Sequence, residues 1–477
     1  MILPPTIDPL RLSAGAMASA IREGALSVTE LIGRSLVRAR VLQAELNCFV
    51  LILDDEASRA AAAADRAVSD GRPLGPLHGV PVAIKDLTPT AGHLTTSGSW
   101  SSGDAVPARS ALVVERLQAA GAIVIGKTTT PEFASSGFTM SPRWGITRNP
   151  WDPSRTPGGS SGGSGAAVGG GCVPFAEGTD MGGSIRIPAA FCGVVGFKPS
   201  LGRIPMTILP SVFDDISHFG PLARTVEDAI LFMQATAGPS DEDPLSLDSL
   251  FDAARARHYS VAGRRFALSM DLGYYAVDPG VAAQVNAAAD VLRAAGATVD
   301  AVPLGWTRAL NDRWLDLWGV FMSAYFGDRL DASRAQMDPA VVALIENARR
   351  LSATDYKRVE LIRTAMWRDL MRLFTRYDAL LCPTCPIVAP PVGQTDDDFG
   401  HDLADGRYRG MDLCGPFNLV SACPVISVPI GLVDGLPVGL QVVGHRHADE
   451  EVLGIAGALE QALGIDVVPP PRVSVFR

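Results

Sequence analysis

Gly158-GSSGGSGAAVGGGCVPFAEGTDMGG-Ser184 is the stretch on which the reading of this chain turns. It packs 11 of the chain's 48 glycines into 27 of its 477 residues and carries no Lys or Arg. A flexible Gly/Ser linker would be polar throughout. This stretch is interrupted by apolar runs at 166–168 and 173–176 and is flanked by ordered patterns. Glycines at this density let backbone amides approach a ligand or adopt positive φ. Serines placed among them, Ser160, Ser161, Ser164 and Ser184, would meet the same ligand.

Working outward, Val80–Ile84 is a short apolar run ending in Lys85-Asp86, as an interior strand would. SALVVERLQAAGAIVIGKT (110–128) reads as an amphipathic helix, a glycine stop and a buried strand over Ile123–Ile125, and DPGVAAQVNAAADVLRAAGATVDAV (278–302) repeats that unit. Residues 8–70 read as helices, one capped by Ser27 with Glu30 three residues on, another stopping at Gly71. Residues 305–376 are mainly helical and rich in Arg and Trp, suiting a cap or insertion. Strand patterns return at 379–382, 425–429 and 439–444. Helices alternating with short apolar strands predict an α/β fold whose sheet is covered on both faces. With no linker between autonomous halves, 1–477 is expected to be one domain. Its parts are the helical segment 8–70, a core 79–230, the insertion 305–376 and a C-terminal part of the core, 377–470.

The chain is 47% hydrophobic and 19% charged, which excludes disorder as the main state. A net charge of -10 argues against nucleic-acid or anionic-membrane binding. MILPPTIDPLRLSAG lacks the basic and apolar regions of a signal peptide, and no apolar run reaches 18 residues, so a cytoplasmic protein is expected. Seven scattered cysteines read as reduced structural thiols; for Cys382-Pro-Thr-Cys385 to hold zinc a second ligand pair is needed, His401 with Cys414 is a poor one, and neither a metal nor a cofactor is expected. Of 41 cations only four are lysines: Lys85, Lys127, Lys198 and Lys357.

Two motif matches near the glycine-serine stretch are decoys. Gly121-AIVI-Gly126-Lys127-Thr128 fits the P-loop pattern, but its Ala-Ile-Val-Ile centre is a strand rather than an exposed turn, and Pro131 follows. Gly158-Gly-Ser160-Ser-Gly162 fits a nucleophile elbow, yet DPSRTP before it is no strand, and no His downstream has an informative context. A third reading joins serine to lysine. Serine needs a base, and a buried Lys with a lowered pKa can serve where Arg cannot. Lys85 is the cation best placed for burial; its competing role is an ion pair, with Asp86 as a partner.

Taken in order, these segments resemble the amidase signature family. The glycine-serine signature corresponds to 158–165 and 178–199, and the lysine segment to Gly79-VPVAIKD-Leu87. Weaker family-like stretches are 126–134, 220–229, 377–384, 416–431 and 435–444, so the resemblance covers nearly the whole chain. It implies a large mixed central β-sheet with helices on both faces. It also implies a Ser-cisSer-Lys triad with Ser184 as nucleophile, Ser160 as the bridging serine on a cis bond from Gly159, and Lys85 as base. The backbone N–H groups of Met181, Gly182, Gly183 and Ser184 would form the oxyanion hole. Asp180 and Arg186 would order the nucleophile, Ser161 and Ser164 the loop. Lys127 and Lys198 read as structural, Lys357 as solvated, and Arg203 as a residue that could face substrate.

The activity implied is hydrolysis of a small-molecule amide, or of a related aryl carbamate as a urethanase does, by a monomer or homodimer. The alternative within the family is the glutaminase component, the A chain, of a tRNA-dependent amidotransferase. Segments 130–150 and 305–376 would set the substrate. Phe133, Phe138, Trp100, Trp144, Trp314, Trp318, Phe321 and Tyr325 are candidates for an apolar wall suited to anilides and other bulky groups.

Overall fold

The short apolar runs become strands because each is long enough to cross a sheet and too short for a stable helix. In the computed structural model, which describes residues 8–464, eleven strands form one sheet. In chain order they are β1 Phe49–Ile52, β2 Pro81–Lys85, β3 Ile123–Thr128, β4 Phe175–Asp180, β5 Val195–Lys198, β6 His218–Ala223, β7 Arg265–Leu268, β8 Thr298–Ala301, β9 Ala379–Pro383, β10 Val425–Val433 and β11 Leu436–Gly444. Their order across the sheet is β1-β3-β2-β4-β6-β5-β10-β11-β9-β7-β8. Pairs β3–β2, β2–β4, β9–β7 and β7–β8 are parallel and the others antiparallel, so the sheet is mixed.

Alternate residues of a strand face opposite sides. In β9, Ala379 and Leu381 enter the larger core, on the face covered there by the helix Pro279–Ala294, while Leu380 and Cys382 enter a second core against the helices of 305–376. β2, β3, β4, β5 and β6 are buried at every position, which requires cover on both faces. The N-terminal cover is Ala14–Arg22, Val28–Leu46 and Asp54–Ser69. Ser27 Oγ caps the second helix by accepting from the Glu30 N–H at 3.0 Å, and Gly71 takes φ +64° beyond the third. Segment 305–376 forms the helices Ala309–Ser333, Pro339–Ala348 and Ala353–Phe374. Of the expected C-terminal part of the core, positions 465–470 lie outside the described residues. No helix among the described residues is long and apolar enough to cross a membrane.

Within the glycine-serine stretch, Gly162–Gly169 is a helix packed into the sheet and 175–180 is β4. Several of its glycines serve close approach. A Cβ on Gly163 would lie 2.4 Å from the Thr129 nitrogen, and one on Gly162 2.2 Å from Thr139 Oγ1. Ser164 Oγ donates to the Glu177 carbonyl at 2.9 Å, tying this helix to β4. The P-loop look-alike is the buried strand β3, from which Lys127 Nζ donates to the Thr88 carbonyl (2.5 Å) and Thr95 Oγ1 (2.7 Å).

Candidate active site

β2 and β4 run parallel, so Lys85 and Asp180 leave the sheet at the same edge. Lys85 is fully buried, and its Nζ donates to Ser160 Oγ at 2.7 Å and to Thr179 Oγ1 at 2.9 Å. Asp86 does not pair with it. That carboxylate instead accepts from the N–H (3.0 Å) and hydroxyl of Thr96 and from the Gly98 N–H at 3.3 Å. Burial lowers the Lys85 ammonium from 10.5 to about 7, against the opposing pull of Glu177 and Asp180. Glu177, which accepts from the Lys85 N–H (2.9 Å) and Thr88 Oγ1 (2.9 Å), is itself pushed up by burial. An amine held neutral near pH 7 and touching a serine hydroxyl can take that hydroxyl's proton.

Ser160 follows a cis peptide bond from Gly159. Ser184 lies in the turn after β4, its carbonyl accepting from the Ser161 N–H at 3.1 Å. Ser160 and Ser184 open into one cavity with Gly159, Thr179, Met181 and Gly182. The turn is clamped from below by Asp180, whose carboxylate accepts from the N–H of Gly183 (2.8 Å) and Ile185 (3.2 Å). The Gly183 N–H, expected among the oxyanion donors, is thus engaged by Asp180. Arg186 grips the same carboxylate through Nε (3.0 Å) and Nη2 (2.9 Å), and Asn418 Nδ2 adds a bond at 3.0 Å. Burial would raise Asp180, but Arg186 and Asn418 overcome it and hold the carboxyl well below the usual carboxylate range. Gln441 and the Cys414 carbonyl accept from Arg186 Nη1.

Other sequence candidates lie elsewhere. Arg203 does not face the cavity: Nε pairs with Asp449 at 3.1 Å and Nη1 donates to the Ser249 carbonyl, so it ties the start of the helix Asp449–Leu463 to the loop at Ser249. Lys198 Nζ donates to the Cys423 carbonyl at 2.9 Å behind the site. Lys357 is exposed and paired with Glu360. All seven cysteines are buried and unpaired, and no cluster among the described residues could hold a metal.

The cavity measures about 800 Å³. Phe133, Phe138, Trp314, Trp318 and Phe321 line it, as do Phe326, Phe399 and Tyr408. Trp100, Trp144 and Tyr325 are not on its wall; Trp100 and Trp144 flank the Arg143 guanidinium, 5.0 and 5.1 Å from the ring centres. Segments 206–217 and 395–415 also line it, and neither carries a sequence signal. Thr179 lies inside the signature stretch 178–199 without a role assigned to it there, and Glu177, just before it, forms no motif. Trp314 does more than the wall expected of it, since its Nε1–H donates to the Met181 carbonyl at 2.8 Å.

The amidase family model matches residues 30–453. An acylamidase of Rhodococcus erythropolis is 36% identical, covering 94% of this chain and 95% of its own. The A chain of a glutamyl-tRNA(Gln) amidotransferase from an Exiguobacterium species is also 36% identical, over 93% and 96%. Among solved structures, a bacterial aryl acylamidase of the amidase signature family superposes with a TM-score of 0.90 at 30% identity, over 97% of this chain and all of that one. With that fold, that match and the buried lysine against a signature serine, this chain belongs to the amidase signature family of hydrolases.

Proposed function

We propose that the protein is a free-standing amidase that cleaves the C–N bond of amides bearing an aryl or other bulky apolar group, through an acyl-Ser184 intermediate. The observation that carries this reading is the 2.7 Å contact between buried Lys85 Nζ and Ser160 Oγ at the floor of an aromatic cavity. Neutral Lys85 takes the Ser160 proton as Ser160 takes that of Ser184, and Ser184 Oγ bonds to the substrate carbonyl carbon. The backbone N–H groups of Met181, Gly182 and Ser184, with that of Gly183 engaged by Asp180, hold the resulting oxyanion. Collapse breaks the C–N bond while the proton returns through Ser160 to the leaving nitrogen, and the amine departs. Water, deprotonated by the same relay, then hydrolyses the acyl-serine to the acid and restores Ser184. An aryl carbamate would follow the same course, releasing the aryl amine first and then, by hydrolysis of the carbonate ester on Ser184, an alcohol and carbon dioxide.

A serine-directed fluorophosphonate should label Ser184, and Ser184→Ala should abolish both labelling and anilide hydrolysis; full activity in that variant would overturn the proposal. The amidotransferase reading is supported by the 36% identity to the A chain of such an enzyme. Glutamine hydrolysis that appears only with the other chains of that assembly, together with no turnover of anilides by the isolated chain, would favour it. The apolar cavity supports the anilide.

A further inference from the structure

Trp314 stands on the helix Ala309–Ser333, 133 residues from Met181 in sequence, and spends its one polar hydrogen on the Met181 carbonyl at 2.8 Å. The ring also lies directly on Gly182: a Cβ there would come within 2.1 Å of Trp314 Cζ2. A trans peptide plane carries its C=O and N–H on opposite sides. Fixing the Met181 carbonyl therefore fixes the Gly182 N–H on the side away from the indole nitrogen. The rest of the turn is anchored in the same manner. Gly183 N–H is held by Asp180 at 2.8 Å, and the Gly183 carbonyl accepts from the Ile187 N–H at 2.7 Å, which orients the Ser184 N–H. Those anchors belong to the segment 180–187, whereas Trp314 reaches in from the helix that walls the cavity.

Trp318, one turn along and stacked 6.2 Å from Trp314, shows that the wall itself needs no indole hydrogen bond. Its Nε1 has no partner among the described residues. We propose that Trp314 is a positioning residue: through the Met181 carbonyl it aims the Gly182 N–H at the oxyanion of the tetrahedral intermediate, so that the chemical step depends on the substrate-binding wall. This rests on the acyl-Ser184 reading above.

The test compares Trp314→Phe with Trp318→Phe in the full chain. An aryl trifluoromethyl ketone, which forms a hemiketal oxyanion on Ser184, reports the oxyanion hole; a non-reacting anilide bound to the Ser184→Ala background reports the wall. Trp314→Phe should lower kcat for anilides about tenfold with KM within about twofold, and weaken the ketone by the same factor as kcat while leaving anilide binding in place. In Trp318→Phe the effect should fall on KM, with ketone and anilide affinities moving together. If Trp314→Phe fails to fold, benzothienylalanine at position 314 keeps the ring and removes the N–H, and the same ratio is read. An unchanged ketone-to-anilide affinity ratio at position 314 overturns the inference alone. No ketone binding and no fluorophosphonate labelling in the wild type overturn the acyl-serine reading beneath it.

Discussion

On the floor of the cavity, Ser161, Ser164, Thr179 and Asp180 each hydrogen-bond a neighbouring strand, helix or turn, and Lys85 and Arg186 are fully buried among them. Across the cavity, Trp314, Trp318 and Phe321 stack face to face at 5.1 to 6.2 Å, and the Trp318 indole nitrogen has no partner among the described residues. A polar cluster in a low-dielectric site has few satisfied arrangements, so it fixes reacting atoms to a fraction of an ångström. An aromatic stack is held by contact area and tolerates exchange at modest cost. The floor is therefore suited to chemistry and the wall, apart from Trp314 with its bond to the Met181 carbonyl, to selection, and variants should separate the two.

The largest effect is expected on the floor. Ser184→Ala should lower kcat/KM by about 10⁴-fold or more, as steady-state anilide assays would show. Lys85→Ala should cost about 10²- to 10⁴-fold on anilides and far less on the matching esters, whose leaving group departs without a proton. The pH profile carries the same signature. Burial lowers Lys85 to about 7, and its protonated form has no lone pair to offer, so anilide kcat/KM should fall as pH drops below about 7. An acid limb surviving in Lys85→Ala would assign that titration to another group.

The next effect is on stability. Asp180→Asn leaves the fully buried Arg186 without its carboxylate and should destabilise the fold by about 3 to 5 kcal/mol. Asp405, exposed and paired with Arg407, should show little or no loss on the same exchange. Denaturant midpoints would compare them.

What is legible in the sequence follows the same division. Val80–Ile84, Ile123–Ile125 and 379–382 are readable as strands because interior strands there are apolar, and in the fold the first shifts by one residue to Pro81–Lys85 while the other two extend by three and one. β4 (FAEGTD) and β6 (HFGPLA) escape such a reading, since Glu177, Thr179, Asp180 and His218 are buried polar residues whose partners, among them Lys85, Thr88, Arg186 and the Ser421 carbonyl, come from other segments. Gly162–Gly169 is a helix that propensity opposes, and its packing against Thr129 and Thr139 overrides that. Lys85, Ser160 and Ser184 stand out in the sequence because their order and spacing resemble a family pattern, and the fold sets Lys85 against Ser160 and opens both serines into one cavity. The role of Trp314 does not stand out, because its contact with Met181 arises only when a distant helix folds over the turn.

On the wall, Trp318→Ala and Phe321→Ala should raise KM for aryl amides about tenfold, as expected for losing part of a buried aromatic surface. Acetamide, too small to reach that stack, should change little. A comparable loss for both substrates would mean that the wall supports the floor mechanically.

The smallest effect tests charge. Among the described residues, the cavity lining includes Asp338, Asp396, Asp397 and Asp412 and no Lys, Arg or His. A carboxylate-bearing anilide should therefore react a few-fold more slowly than its neutral analogue, and an ammonium-bearing one faster. Added salt should shrink both differences, since charges near solvent are screened within about 8 to 10 Å. Asp412 gives this selectivity a pH dependence. Burial raises its carboxyl to about 6 even though the N–H groups of Cys414 (2.7 Å) and Gly415 (3.3 Å) donate to it. Its charge is present above that pH and lost below, so discrimination against the anionic substrate should weaken between about pH 7 and 5. Lys85 titrates over part of the same range, but it multiplies the rate of every substrate alike. The ratio of kcat/KM values cancels Lys85 and leaves the lining carboxyls that burial raises, Asp412 and Asp396, so Asp412→Asn should reduce the pH dependence of that ratio while the acid limb of each separate profile stays.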